Sequence, residues 1–323
     1  MNLEKLKELV NQEIQSLVYG TDPQEIYEPI RYIMDLGGKR MRPILALLGT
    51  YLFGEDYQKS MKPAIGVEVF HNFTLMHDDI MDNAPLRRGK PTVHEKWNPN
   101  VAILSGDVML VYAYQLMLEV DDTQVKEVIQ AFNQCAALVC EGQQLDMNYE
   151  TAAQVSEEAY IEMIRRKTAV LLGFALELGG IIAKTHAKNR IFLRNFGENI
   201  GLGFQLKDDL LDVYGDADKF GKQVGGDIIA NKKTFLLIKA LENAKDDSKE
   251  KLNYWLSLQE FDKFEKVKAV TEIYNQLGIK ALTEEKMNLY FQKGFEQLEA
   301  VQADEARKEI LRNFTEQIIH REK

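Results

Sequence analysis

The chain is 323 residues long, enough for one large domain or two average ones and for a sizeable buried core. Only 7 Pro and 21 Gly occur among recurrent Leu, Ala, Glu, Lys, Gln and Met, which favours helices over a turn-rich sandwich or barrel. A net charge of -10 and a pI near 5.2 argue against a surface built for nucleic acid or anionic lipid, so a polyanionic ligand must be met by a local basic cluster.

Helical periodicity recurs from end to end, with no Pro- or Ser-rich linker, which predicts an all-α protein with a single domain over 1–323. The first residues, MNLEKLKELVNQEIQ, are amphipathic and charged and lack the apolar core of a signal peptide. Asp22 before Pro23 and Glu25, and Ser156 before Glu157 and Glu158, mark helix starts. One long helix is predicted from about Pro63 to Asp82, ending in the Pro- and Gly-punctuated loop NAPLRRGKPT. Cys135 and Cys140 have no Cys-His spacing for zinc and read as buried free thiols, which fits a cytoplasmic protein. The longest apolar stretch, Ala169 to Ala183, carries Glu177 and is too short to span a bilayer, so no membrane span is expected. A second long helix is predicted from about Arg190 to Val213, followed by the basic, Gly-rich loop FGKQVGGDIIANKK.

The two long helices carry the same motif: Asp78-Asp79-Ile80-Met81-Asp82 in one and Asp208-Asp209-Leu210-Leu211-Asp212 in the other. Positions i and i+4 stand one above the other on a helix, so Asp78 pairs with Asp82 and Asp208 with Asp212, with Gln205 joining the second stripe. Carboxylates this close repel unless a cation lies between them, and an all-oxygen donor set suits Mg²⁺, which binds a few carboxylates together with phosphate oxygens. A single such motif is more often a solvated acidic face, but two copies flanked by Phe70, Phe73, Met76 and by Phe204, Leu206, Leu211 place the helices inside the fold.

Basic residues answer the acidic ones. GGKRMRP packs Lys39, Arg40 and Arg42 between glycines and Pro43, and Arg87-Arg88-Gly89-Lys90 follows the first acidic helix, so its guanidiniums can fold back toward Asp82. Lys222, Lys232 and Lys233 follow the second. His71 lies on the Asp78 stripe.

These motifs, with GD at 106–107, GQQLD at 142–146, KT at 167–168 and FQLKDDLLD at 204–212, resemble the trans-polyprenyl diphosphate synthases, which include farnesyl and geranylgeranyl diphosphate synthases. The resemblance implies the isoprenoid synthase fold, a single-domain bundle of long helices around a central cavity, forming a homodimer. It implies head-to-tail condensation of isopentenyl diphosphate with an allylic diphosphate (dimethylallyl, geranyl or farnesyl) in the presence of Mg²⁺. By position, Asp78, Asp82 and Asp208 would ligate the metals, with Asp79, Asp212, Gln143 and Asp146 supporting them. Arg87, Lys167, Gln205, Lys222 and Lys232 would contact the allylic diphosphate, and Lys39, Arg42, His71 and Arg88 would hold isopentenyl diphosphate. Thr168, Gln205 and the Lys167 carbonyl would face the carbocation.

Phe73, Phe70 and the small Thr74 would set product length, and their resemblance is to short-chain members, C15 to C20, with geranylgeranyl diphosphate favoured. The family's usual Gly-Lys-x-Thr-x-Pro is replaced by Asn231-Lys232-Lys233-Thr234-Phe235-Leu236, which puts the loop shape in question. The charged tail Arg321-Glu322-Lys323 is assigned no role. A class I terpene cyclase would need no second diphosphate pocket, and a silent regulatory subunit would tend to have lost catalytic residues.

Overall fold

The predicted helical periodicity is realised along the chain. In the computed structural model, which describes residues 2–215 and 225–320, the only strands among the described residues are Leu86–Arg87 (β1) and Lys90–Pro91 (β2). Lys222 and the tail Arg321–Lys323 lie outside the described residues. The helices in chain order are α1 (Leu3–Gln15), α2 (Gln24–Asp35), α3 (Met41–Tyr51), α4 (Met61–Met81), α5 (Val93–Lys96), α6 (Pro99–Met117), α7 (Val125–Thr151) and α8 (Glu157–Ile164). They continue as α9 (Val170–Ile182), α10 (Ala187–Tyr214), α11 (Gly226–Ile229), α12 (Phe235–Asn243), α13 (Asp246–Ser257), α14 (Lys263–Gln276), α15 (Ile279–Ala300) and α16 (Glu305–His320).

Local signals explain the boundaries. Ser156 caps α8 as expected, its hydroxyl accepting from the Ala159 amide at 3.2 Å. At α2 the cap position falls on Pro23 rather than Asp22, with no side-chain cap, because the extended Pro23 leaves Gln24 as the first helical residue. The segment NAPLRRGKPT, expected as a loop, closes into a two-residue hairpin: Arg88 (φ 53) and Gly89 (φ 73) both take left-handed conformations, the geometry that matches strand twist. Between α8 and α9 the helix widens into a π turn at Arg165–Ala169. There α7 approaches so closely that a Cβ on Gly142 would lie 2.2 Å from the Lys167 amide nitrogen.

The chain forms two compact units. One comprises 1–136, 171–195 and 298–315; the other comprises 137–170, 196–297 and 316–323. In the first, α3 is buried from Pro43 to Thr50, and α4 buries both faces of its first half. In the second, α10 is gripped from two sides. Leu202 and Leu206 pack with Tyr160, Met163 and Phe235, while Leu210 and Val213 pack with Leu236, Leu252 and Tyr274. The acidic motif therefore sits on a helix fixed by apolar contacts, as its flanking residues predicted.

One other expectation changes. Cys135 is buried but Cys140 is exposed, since five residues turn a helix by about 140° and put the two thiols on different faces. Ala169–Ala183 becomes part of the core, whereas α6 is the helix among the described residues long and apolar enough, by length and composition, to cross a membrane, with 33% of that window buried.

Candidate active site

In the first unit, the GGKRMRP segment turns back on itself between α2 and α3, with Gly37 (φ 78), Gly38 (φ 150) and Arg40 (φ 54) in left-handed or Gly-favouring conformations. The three basic residues separate by role. Arg40 is 4% exposed and donates to Glu68 Oε1 at 2.7 Å, the Met34 carbonyl at 3.0 Å and Asn11 Oδ1 at 3.1 Å, so it pins the loop to the core. Lys39 stays exposed. Arg42 Nη1 donates to His71 Nε2 at 3.1 Å. A guanidinium only donates, so this nitrogen carries no proton. Burial first, and then the charges of Arg42 and Arg88, hold the His71 pKa well below its usual value. Arg88 Nη1 donates to the Gly37 carbonyl, tying the hairpin to the same loop.

Asp79 is buried, and Arg87 grips it with Nε at 3.0 and 3.1 Å and Nη2 at 2.5 Å. Nη2 also comes within 3.8 Å of Asp78 Oδ2. The arginine was expected to fold back toward Asp82; it folds further, onto Asp79, because the Ala84 amide donates to the Asp79 carbonyl and Thr92 Oγ1 donates to the Ala84 carbonyl. Burial outweighs Arg87 and raises the Asp79 pKa. Asp78 is half-buried and Asp82 exposed. His77, unremarked in the sequence, lies against Gly106, where a Cβ would fall 2.2 Å from its Nε2, which explains the glycine of the GD pair.

The second unit repeats the division. Asp209 is 4% exposed and accepts from the Tyr160 hydroxyl and from Gln205 Nε2 at 3.2 Å. Burial, and then the charge of Asp227, push its pKa up to about 7. Gln205 Oε1 in turn accepts from Thr168 Oγ1 at 3.3 Å. Asp208 is exposed, and Asp212 Oδ2 accepts from the Asp227 amide at 2.9 Å at the start of α11. Lys167, on the π turn, meets Asp146 at 2.6 Å, and Lys232 Nζ lies 3.9 Å from the same carboxylate. Gln143 Nε2 is buried without a hydrogen-bond partner, a donor held in reserve one turn before Asp146. Of the residues expected here, Lys167, Asp146 and Lys232 thus come together, as do Thr168 and Gln205, while Arg87 belongs to the first unit and Lys222 lies outside the described residues.

Among the described residues, no three His, Cys, Asp or Glu side chains gather into a closed metal cage. Paired Asp oxygens without nitrogen or sulfur, open to a ligand's phosphate oxygens, fit magnesium better than a metal that needs a complete protein shell.

Phe70 is 1% exposed, with its ring 5.1 Å from Phe132 and 5.6 Å from Phe73. Phe73 is 8% exposed and packs edge-on to His77 at 4.7 Å. Thr74 Oγ1 donates to the His71 carbonyl at 2.8 Å. Tyr160 and Glu68, which fix Asp209 and Arg40, carried no sequence signal: Glu68 is a single charge within an apolar helical run, and Tyr160 an aromatic in a helix of mixed polarity.

Comparison with known proteins gives the family. Residues 23–276 match the family described as polyprenyl synthetase, and the chain belongs to that family. A short chain isoprenyl diphosphate synthase of Methanothermobacter thermautotrophicus is 34% identical over 321 residues, 99% of this chain and 98% of that one. A geranylgeranyl pyrophosphate synthase of Geoglobus acetivorans is 40% identical over 237 residues, 72% of this chain and 74% of that one. The crystal structure of a geranylgeranyl pyrophosphate synthase superposes with a TM-score of 0.95 at 42% identity, covering 99% of each chain. The fold is the all-α isoprenoid synthase fold.

Proposed function

We propose that this short-chain prenyl diphosphate synthase uses Mg²⁺ to condense isopentenyl diphosphate with dimethylallyl, geranyl or farnesyl diphosphate, releasing diphosphate and making C15–C20 all-trans products, with geranylgeranyl diphosphate favoured. The observation that carries this is the matched division of the two acidic motifs. In each, the second Asp is buried on its own partner, Asp79 on Arg87 and Asp209 on Tyr160, while Asp78 and Asp208 remain accessible.

Asp78, Asp82 and Asp208 would hold the metal ions, with Asp79, Asp212, Gln143 and Asp146 behind them. Bound magnesium would supply positive charge against the leaving diphosphate. Arg87, Lys167, Lys222 and Lys232 bind the allylic diphosphate and steady the same growing charge. Gln205 Oε1, Thr168 and the Lys167 carbonyl turn oxygen atoms toward the allylic cation. Lys39, Arg42, His71 and Arg88 hold isopentenyl diphosphate with its double bond near that cation. The Nε2 lone pair of His71 is taken by Arg42, so the final proton is better accepted by the released diphosphate than by this imidazole.

We further read the chain as one synthase domain over 1–323, cytoplasmic, without a membrane span, and homodimeric. The apolar residues Ile103, Leu104 and Val111 on α6 are 43%, 53% and 57% exposed, which suits burial against a second copy better than contact with water. Terpene cyclase and silent-subunit readings are not favoured by relatives named as synthases.

Purified protein incubated with MgCl₂, isopentenyl diphosphate and each of the C5, C10 and C15 partners should yield linear C15–C20 diphosphates. Cyclic hydrocarbons without any use of isopentenyl diphosphate, or no turnover with any partner, would refute the proposal.

A further inference from the structure

The loop that carries Lys232 has Asn231 where the motif it resembles has glycine, and the structure shows a contact to that residue from a distant helix. Asn231 adopts a left-handed backbone, φ 53, a conformation that glycine takes freely and that other residues, Asn least of all, take at a cost. Its side chain is held at both ends: Nδ2 donates to the Leu256 carbonyl at 3.1 Å, and Oδ1 accepts from Lys266 Nζ at 2.7 Å. Lys266, on α14, is 0% exposed. Its ammonium also donates to the Ile229 carbonyl at 3.3 Å and sits 4.0 Å from the centre of the Phe261 ring. A buried lysine is costly to desolvate, and this one directs its charge at the two ends of one turn.

Immediately beyond that turn, the Lys232 amide donates to the Asp227 carbonyl at 2.9 Å and the Thr234 amide to the Lys232 carbonyl at 2.8 Å. These bonds set the direction in which Lys232 leaves the loop.

We propose that Lys266 and Asn231 form a clamp that replaces the usual glycine and aims Lys232 at the allylic diphosphate, making Lys266 a positioning residue for the reaction. The proposal rests on the reading above that Lys232 contacts that diphosphate. Lys266 itself touches no substrate; it acts through the backbone of residues 229–232.

The test compares Lys266→Met, Asn231→Gly/Lys266→Met and Lys232→Ala in the full-length enzyme, with KM measured for each substrate separately. Lys266→Met should raise KM for the allylic diphosphate about tenfold, the size expected when one charge-assisted contact is lost, with KM for isopentenyl diphosphate unchanged. In the double variant the orphaned Asn oxygen is gone and glycine holds the turn unaided, so allylic KM should return to within about twofold of wild type. An unchanged allylic KM in Lys266→Met, or a failure of the double variant to recover, overturns the clamp. Should Lys266→Met not fold, Asn231→Ala keeps the lysine, cuts both side-chain bonds and must raise allylic KM likewise; a normal value there overturns the clamp too. Lys232→Ala separates the two levels. If it leaves allylic KM unchanged, the role given to Lys232 fails and the clamp falls with it; if it raises KM while Lys266→Met does not, only the clamp fails.

Discussion

Arg87 holds Asp79 through three contacts of 2.5 to 3.1 Å, and this pair divides the first acidic motif in two. Asp79 is only 2% exposed, whereas Asp78 beside it, 3.8 Å from the same guanidinium, is half-buried and Asp82 exposed. Asp79→Ala should therefore act mainly on stability. Breaking a buried ion pair costs roughly 3–5 kcal/mol, and with Arg87 24% exposed, water can take back part of its charge, so about 2 kcal/mol is expected. Asp78→Ala should act mainly on turnover, lowering it at least about a hundredfold, and Asp208→Ala should match it. Near-normal turnover of Asp78→Ala in saturating magnesium would reject the metal assignment.

The three basic residues of GGKRMRP should also separate. Lys39→Ala and Arg42→Ala should raise KM for isopentenyl diphosphate by about ten- to a hundredfold, the worth of one charge-assisted phosphate contact. Arg40→Ala should leave the Glu68 carboxylate stranded and cost about 3–5 kcal/mol, because both partners are almost wholly buried. Unfolding curves and separate substrate titrations on the three variants distinguish the two effects. A selective rise in KM for the allylic partner, with Lys39 or Arg42 removed, would mean the pockets are exchanged.

The helices and motifs were legible because their signals are local. Period, caps and Gly-Pro punctuation place α4 and α10 to within three residues of their predicted ends. What each carboxylate does was not legible, since Asp78 and Asp79 look alike in a string, and the burial that separates them depends on which way α4 faces its neighbours. The same holds for Lys266: a lysine 34 positions beyond Lys232 reads as a solvated charge until the fold buries it. Cys140 went wrong for the simplest reason, that a position within an apolar helix can still face outward.

Asp209 gives a pH signature. Its pKa in the folded protein is pushed up to about 7, against roughly 3.9 in an unfolded chain. Below pH 4 both states are protonated and nothing is lost. Between about 4 and 7 the unfolded state has released a proton that the folded state still holds, so stability falls as pH rises, by up to about 1.4 kcal/mol per unit from this group, and levels off above 7. Urea midpoints measured in EDTA from pH 5 to 8 should show this decline, and Asp209→Asn should flatten it. Added Mg²⁺, if held next door by Asp208, should also flatten it by favouring the ionised carboxyl. A slope unaffected by Asp209→Asn would place the proton elsewhere.

Product length depends on the wall of the tail pocket, and the packing of α4 discriminates between the two phenylalanines. At 1.5 Å per residue, Phe73 and Phe70 lie about 7 and 12 Å along the helix from Asp78 toward its N-terminus. Phe70 is locked between Phe132 and Phe73 and is 1% exposed, so Phe70→Ala leaves a core cavity worth about 3–5 kcal/mol and confounds any change in product with loss of fold. Phe73 retains more exposure, with one ring edge on His77, although helical rotation sets it about 140° from the Asp78 stripe. Thr74 is nearer that stripe and partly exposed, and its hydroxyl donates to the His71 carbonyl. Phe73→Ala should then lengthen the product by one or more C5 units, and Thr74→Phe should shorten it toward C15, with Phe73→Ala losing less stability than Phe70→Ala. Chromatography of dephosphorylated products reads the outcome. A wild-type product of C30 or longer, or a distribution that neither substitution moves, would remove these two residues from the floor of the pocket and leave Phe73 as ordinary packing beneath His77.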